Sequence, residues 1–283
     1  MRKLLRADLF CLRRSRVLWL CMAAAFVISA IFLLRLSTDN ENMRTLDDAF
    51  LQLLPFLSIL HAAFIGLFLG VEYQDGTMRN KLVVGHSRRA VYGAYLITGT
   101  VDCFAILLAW AASVVIGVVK FGWFAAPAGT LLLYSAVILL LTAAEAAILT
   151  LLCLLVTNRA VSGVAAILLA LALLILGSSF YNALCEPETT SPAIMTENGF
   201  EIGEPEPNPD YISGTLRTVY QFAVDALPSG QAILLANQEL ARPGLSLAAS
   251  AGLILLVSAI RHGHLPAKRL EIRSLLWSFR GSF

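Results

Sequence analysis

The sequence is short of charge, of paired cysteines and of any signature for handling nucleotides. Only 14% of its 283 residues are Asp, Glu, Lys or Arg, against roughly 25% in soluble domains. With 58% hydrophobic residues and a mean hydropathy of +0.76, that shortfall excludes an ordinary soluble fold. The five cysteines, Cys11, Cys21, Cys103, Cys153 and Cys185, show no CxxC spacing. Neither a disulfide framework nor a zinc site is supported. His262 and His264 have no further ligand near them in sequence. The chain has no G-x-x-x-x-G-K-[ST] phosphate loop, no G-x-S-x-G elbow and no H-E-x-x-H pair. It is therefore not expected to be an enzyme, to carry a cofactor or metal, or to bind nucleic acid. Energised work would need a nucleotide handled by another chain.

What is present is long apolar runs. A bilayer core needs about 20 apolar residues at 1.5 Å rise each. Six segments approach that length, at about 17–36, 51–71, 91–119, 128–156, 161–180 and 245–260. They are apolar on all sides and too long for barrel strands, so helices are expected. The fold class is an all-α integral membrane protein, multi-pass in a cell membrane.

Basic residues set the orientation. Arg2, Lys3, Arg6, Arg13, Arg14 and Arg16 precede the first span, and Arg79, Lys81, Arg88 and Arg89 follow the second. Arg159 follows the fourth, and Arg261, Lys268, Arg269, Arg273 and Arg280 follow the sixth. The alternate loops are acidic: Asp39, Glu41, Asp47 and Asp48 stand against Arg44, and nine acids against Arg217 and Arg242 over 181–243. The positive-inside rule then puts both termini in the cytoplasm. The first apolar run is long for a signal peptide, and LLRLSTDN follows it instead of a small-x-small site. Residues 1–16 read as an interfacial helix with Leu5, Leu9 and Leu12 on its apolar face, the plainer alternative being a topology-setting tail.

The loop 72–90 carries the most information. Gly76-Thr77 permits a tight turn, with Thr77 as the cap of a short helix. Met78, Leu82 and Val83 would form an apolar patch on that helix among Arg79 and Lys81. Glu72 is placed to pair with Arg79 or Arg88. A basic loop that only meets lipid headgroups is the alternative.

Polar residues inside the spans need partners. Asp102 and Glu145 fall at similar depth, where a lipid-facing carboxyl would cost at least ~2.5–3.5 kcal/mol. They either line a path or hold helices together, and His61 reads as an interhelical donor. Ala62, Gly66 and Gly70 make a small-residue packing face on the second span, and Pro55 bends its outer part. Residues 186–210 read as irregular loop. After them Leu216, Val219, Tyr220, Ala223 and Leu227 recur at helical spacing, broken at Pro228-Ser229-Gly230. Two short re-entrant or interfacial helices are expected there, before the last span.

The 72–96 stretch resembles the signature of ABC-2 type transporter permeases, the membrane subunits of ATP-binding-cassette transporters. That pattern runs acid, Gly-Thr, basic residues and Ser-Arg before the next span, matched by Glu72, Gly76-Thr77, Arg79, Lys81 and Ser87-Arg88. His86 and Tyr95 stand where the family often has Pro and Lys. The block 212–233 is similar to the segment before the last span in Gram-positive members. The resemblance implies one transmembrane domain over 1–283, with 72–90 as coupling loop, 181–243 outside and 261–283 as cytoplasmic tail. It implies a separate cytoplasmic ATPase subunit as partner, a homodimer of the permease, and export of a peptide, antibiotic or lipid. It also implies an outer gate at Arg217, Tyr220, Pro228 and Gly230. A sensory or scaffold protein using the same loop, and an intramembrane enzyme using Asp102 and Glu145, are readings the residues alone leave open.

Overall fold

The structure, a computed structural model, describes residues 2–37, 45–156, 158–191, 193–196 and 199–263. The expectations for Asp39, Glu41, Arg44, Glu197, His264 and the basic tail beyond residue 263 lie outside these.

Among the described residues, six helical passes are long and apolar enough to cross a membrane: Arg16–Leu36, Leu46–Gln74, Arg88–Phe121, Ala128–Leu155, Arg159–Cys185 and Pro243–Ile260. These correspond to the six expected runs, the second, third and fifth being longer than drawn from sequence and the fourth one residue shorter. Before them lies α1 (Arg2–Arg14), and α2 (Arg16–Leu36) is the first pass. The inward stripe of α1 is Leu4, Asp8 and Leu12, not the expected Leu5, Leu9 and Leu12. The helix is rotated so that a carboxylate points inward, which no apolar-periodicity argument would select.

Two passes are broken. The second comprises α3 (Leu46–Leu51), a 3-10 turn at Leu54–Phe56 and α4 (Leu57–Gln74). Pro55 supplies no N–H to an α-helix, and Ser58 Oγ donates to its carbonyl at 2.8 Å. The third comprises α6 (Arg88–Ala112) and α7 (Val114–Phe121). Between them Ser113 Oγ donates to the Trp110 carbonyl at 2.7 Å and lies 2.6 Å from Ser29 Oγ on α2. The fourth and fifth passes are α8 (Ala128–Leu155) and α9 (Arg159–Cys185).

The central pairing is α4 along α9. A Cβ on Gly66 would lie 2.8 Å from Gly163 Cα, and one on Gly70 would lie 2.9 Å from Arg159 Cγ. The small-residue face thus meets the start of the fifth pass. Lipid offers no hydrophobic drive for helix association, so close backbone packing has to supply the attraction.

At the end of the bundle away from residues 72–88, the chain is not all helix. Short antiparallel pairs join β1 (Thr189–Thr190) to β4 (Glu206–Pro207) and β2 (Ala193–Thr196) to β3 (Gly199–Ile202). The expected irregular loop is corrected accordingly; the Pro and Glu content hid short strands. Next come α10 (Gly214–Ala226), α11 (Pro228–Ala236) and α12 (Pro243–Gly263). Residues Pro228 to Leu235 of α11 are all buried, tucked against α9, α8 and the 3-10 turn. Gly230 is required there, because a Cβ would collide with the backbone of Val224.

Candidate functional site

The loop between α4 and α6 folds as α5 (Thr77–Val83), set off by two residues of positive φ, Gly76 at 64° and Gly85 at 99°. The N-cap is Gly76, which has no side chain to cap with. The expected Thr77 cap is corrected: its Oγ1 points back to α4, 2.9 Å from the Glu72 carbonyl and 2.6 Å from Glu72 Oε2. At the far end Ser87 caps α6, accepting from the Ala90 amide at 3.2 Å.

Lys81 is the hub of this region. Its Nζ donates to Asp8 Oδ1 at 2.6 Å, to Glu72 Oε2 at 2.9 Å and to the Tyr95 hydroxyl at 2.9 Å. Tyr95 in turn donates to Glu72 Oε2 at 2.7 Å. One ammonium thus joins α1, α4, α5 and α6. Its three N–H donors are all used. Burial pushes the Asp8 carboxyl above its usual range, and the Lys81 ammonium only partly offsets this. The expected pairing of Glu72 with Arg79 or Arg88 is corrected, since the charge nearest the helix end is Lys81. Arg79, Arg88 and Arg89 are exposed.

The apolar patch also differs. Met78 and Leu82 pack against the protein core, whereas Val83 and Val84 are 74% and 78% exposed. The i, i+4 pair faces inward because Lys81 must reach Glu72 from the same side of a short helix. The outward surface of α5 and its exit is therefore Arg79, Asn80, Val83 and Val84. Tyr73 Oη donates to the Leu154 carbonyl at 2.6 Å and Arg159 to Gln74 Oε1 at 3.0 Å, fixing the loop-side end of α4 to α8 and α9.

Within the bundle, His61 Nδ1 lies 3.0 Å from Glu145 Oε2, joining α4 to α8. Asp102 is wholly buried, and neither of its oxygens has a hydrogen-bond partner among the described residues. Glu145 therefore pairs with His61 and not with Asp102. The nearby Thr98 donates to the Ala94 carbonyl at 2.8 Å on its own helix. No group of three or more metal-ligating side chains occurs among the described residues.

The opposite end has its own cluster. Arg217 donates to the Leu184 and Ile212 carbonyls at 3.0 and 3.3 Å, and Tyr220 packs on Phe180 with ring centroids 4.7 Å apart. Buried Gln231, which the sequence reading passed over, donates to the Asp225 and Ser246 carbonyls and accepts from Ser250. It ties α11 to α10 and α12.

A family model described as ABC-2 family transporter protein matches residues 4–177. The chain belongs to that family. It is accordingly a multi-pass membrane protein of the cell membrane and a component of membrane transport. The matched residues include α1 from Leu4 onward, the Lys81 hub and the His61–Glu145 pair, and end before α10. No curated protein and no solved structure matches the chain.

Proposed function

We propose that this ABC-2 family chain is the permease subunit of an ATP-binding-cassette exporter, driven by a separate ATPase that docks on α5. The observation that carries this reading is the Lys81 hub. A short helix that is to pass on force must be fixed to the transmembrane elements on one side and open to a partner on the other. Lys81 supplies the attachment through Asp8, Glu72 and Tyr95, and Val83, Val84 and Arg79 supply the open side. Both termini and α5 are then cytoplasmic, by the basic residues of these segments.

Two copies would enclose a path for a hydrophobic or amphipathic substrate, each working with its own ATPase, and α10 and α11 would cap its outer end. A cavity of about 780 Å³ between α4 and α9, lined by Leu67, Gln74, Arg159, Gly163 and Val164, gives the second copy or the substrate room at the loop-side end. The decisive experiment purifies the chain alone and after co-expression with an ATP-binding-cassette ATPase of the same host. The chain alone is expected to hydrolyse no ATP, and the complex to hydrolyse it faster when substrate is added. Failure of every such ATPase to co-purify would overturn the assignment.

A further inference from the structure

A cavity lined by charges of both signs lies at the end of the bundle away from α5, where α9 stops at Cys185 and α12 starts at Pro243. Its volume is about 500 Å³, and Cys185, Arg217, Gln221, Asp225, Glu239 and Arg242 line it. Small-molecule sites commonly span about 300–1,000 Å³. The lining is balanced, with two arginines and two carboxylates, so it suits neither a plain anion nor a plain cation.

The charges are only partly used within the protein. Arg217 gives two of its donors to backbone carbonyls. Arg242 donates to Gln221 Oε1 at 3.3 Å and stands 3.7 Å from Asp225 Oδ2, too far for a hydrogen bond. Asp225 is only 5% exposed, and its Oδ2 has no hydrogen-bond donor. A buried carboxylate oxygen without a donor is costly. Burial pushes this carboxyl above its usual range, with Arg242 drawing it back, so a ligand bringing N–H donors would be favoured there. A quaternary ammonium has none to bring.

A second feature says where the ligand comes from. One side of α10 lines the cavity with Arg217, Gln221, Val224 and Asp225. Its other side exposes Leu216, Val219 and Phe222 at 51%, 54% and 57%. Three large apolar side chains at i, i+3 and i+6 on a helix beside the ends of two membrane passes suit hydrocarbon cover. With that cover α10 would have hydrocarbon on one face and paired charge on the other, the situation of a phospholipid headgroup.

We propose that this cavity is a binding site for a phosphate-and-primary-ammonium headgroup, the phosphate on Arg217 and Arg242 and the ammonium on Asp225 and Glu239. The site needs no ATPase and stands separately from the transport assignment. Glu239 already accepts from Tyr181 Oη at 2.9 Å, which leaves it a second oxygen for the ammonium.

Cys185, an exposed free thiol in the cavity lining, is a built-in reporter. The full chain carrying Cys11→Ser is reconstituted in nanodiscs of phosphatidylglycerol, alone or with phosphatidylethanolamine or phosphatidylcholine, and Cys185 alkylation is followed by peptide mapping. Phosphatidylethanolamine is expected to slow alkylation about tenfold, and phosphatidylcholine to have little effect. Protection by soluble phosphoethanolamine in phosphatidylglycerol discs would support the same site with a soluble ligand in place of the lipid. Protection is expected to vanish in Arg242→Gln and in Asp225→Asn. Arg242 is half-exposed, so that variant should elute and label like the parent when no ethanolamine is present. Equal protection by choline and ethanolamine lipids, protection that survives both substitutions, or no protection by any of these molecules would overturn the proposal.

Discussion

Lys81 Nζ and Asp8 Oδ1 lie 2.6 Å apart across 73 residues of sequence, so the helix between the second and third passes is fastened to the N-terminal helix. Neither partner is exposed enough to be a mere surface pair. Removing Lys81 strands two carboxylates, Asp8 and Glu72, in a part-buried pocket. Breaking such a pair from one side costs about 3–5 kcal/mol when fully buried, and less here, where the Lys81 and Glu72 side chains are 14% and 13% exposed. Lys81→Met is expected to lower ATPase turnover in the complex more than it lowers expression. Glu72→Gln, which keeps an acceptor for Thr77 and Tyr95, should be milder. Equal turnover in all three proteins would remove Lys81 from the coupling path.

The exposed surface of α5 gives a sharper test of partner docking. Val83→Asp with Val84→Asp alters side chains that touch little of the protein, so thermal stability should hold while ATPase capture falls at least tenfold, about 1.4 kcal/mol. Met78→Asp with Leu82→Asp places charge against the core and should lower stability itself. Full ATPase capture by the Val83/Val84 variant would move the docking surface elsewhere.

Much of this arrangement was legible in the sequence, and the misses have physical reasons. Long apolar runs report membrane passes because nothing else needs them, so all six emerged. Basic residues marked the loop that folds as α5. What did not emerge was the direction in which each loop side chain points. Thr77 is a good cap by type, yet Gly76 at positive φ takes the cap position and turns Thr77 toward Glu72. Lys81 was singled out, but its partners Asp8 and Tyr95 come from segments whose packing has no local signal. Asp8 was hidden on a helix judged only by its leucines. Gln231 was missed because a lone amide in an apolar stretch looks like an interruption, when it is the group that satisfies carbonyls of two neighbouring helices.

The pH response of α1 follows from Asp8. Burial raises its pKa in the folded protein, so the docked helix binds a proton more readily than the undocked one. The sign is then fixed: docking of α1 strengthens as pH falls through the raised value toward the ordinary carboxylate range, and that gain is lost as pH rises back through the raised value. Lys81, Glu72 and Tyr95 are the other titratable groups facing Asp8. Amide hydrogen exchange over 2–14, corrected for intrinsic rates, should show protection that grows as pH is lowered from neutral through this window. Asp8→Asn should flatten that difference. A steeper loss of protection in acid would contradict the burial argument.

Gly66 sets how closely α4 approaches α9. A methyl there would lie 2.8 Å from Gly163 Cα and 3.2 Å from Ala166 Cβ, and the first of these is backbone that cannot swing aside. Overpacking of this kind costs about 1–3 kcal/mol. Gly66→Ala should lower the midpoint of thermal unfolding in detergent, and Gly66→Leu should lower it further. Ala62→Gly on the same helix serves as a control for lost helix propensity, worth about 1 kcal/mol. A Gly66→Ala protein no less stable than the parent would mean that the two helices are further apart than described.

Asp102 and the His61–Glu145 pair should respond in opposite ways. His61 is 1% exposed and its Nδ1 bonds Glu145, so His61→Leu leaves a buried carboxyl without its partner and should destabilise. The double change with Glu145→Leu should recover part of that loss, because no polar group is then stranded. Polar contacts inside membranes average only about 0.6 kcal/mol, so the coupling in this cycle should be of that order or somewhat above it. Asp102 has no bond to lose. Asp102→Leu and Asp102→Asn should therefore leave thermal stability unchanged or raise it, since a solitary buried carboxyl is a cost in the folded state. A carboxyl kept at a structural cost is a candidate for function. If both variants gain stability and lose transport, Asp102 acts on the substrate path; if they gain stability and transport normally, it does not. A clear loss of stability in Asp102→Asn would show that the carboxyl has a partner, and the account of it as unbonded would fail.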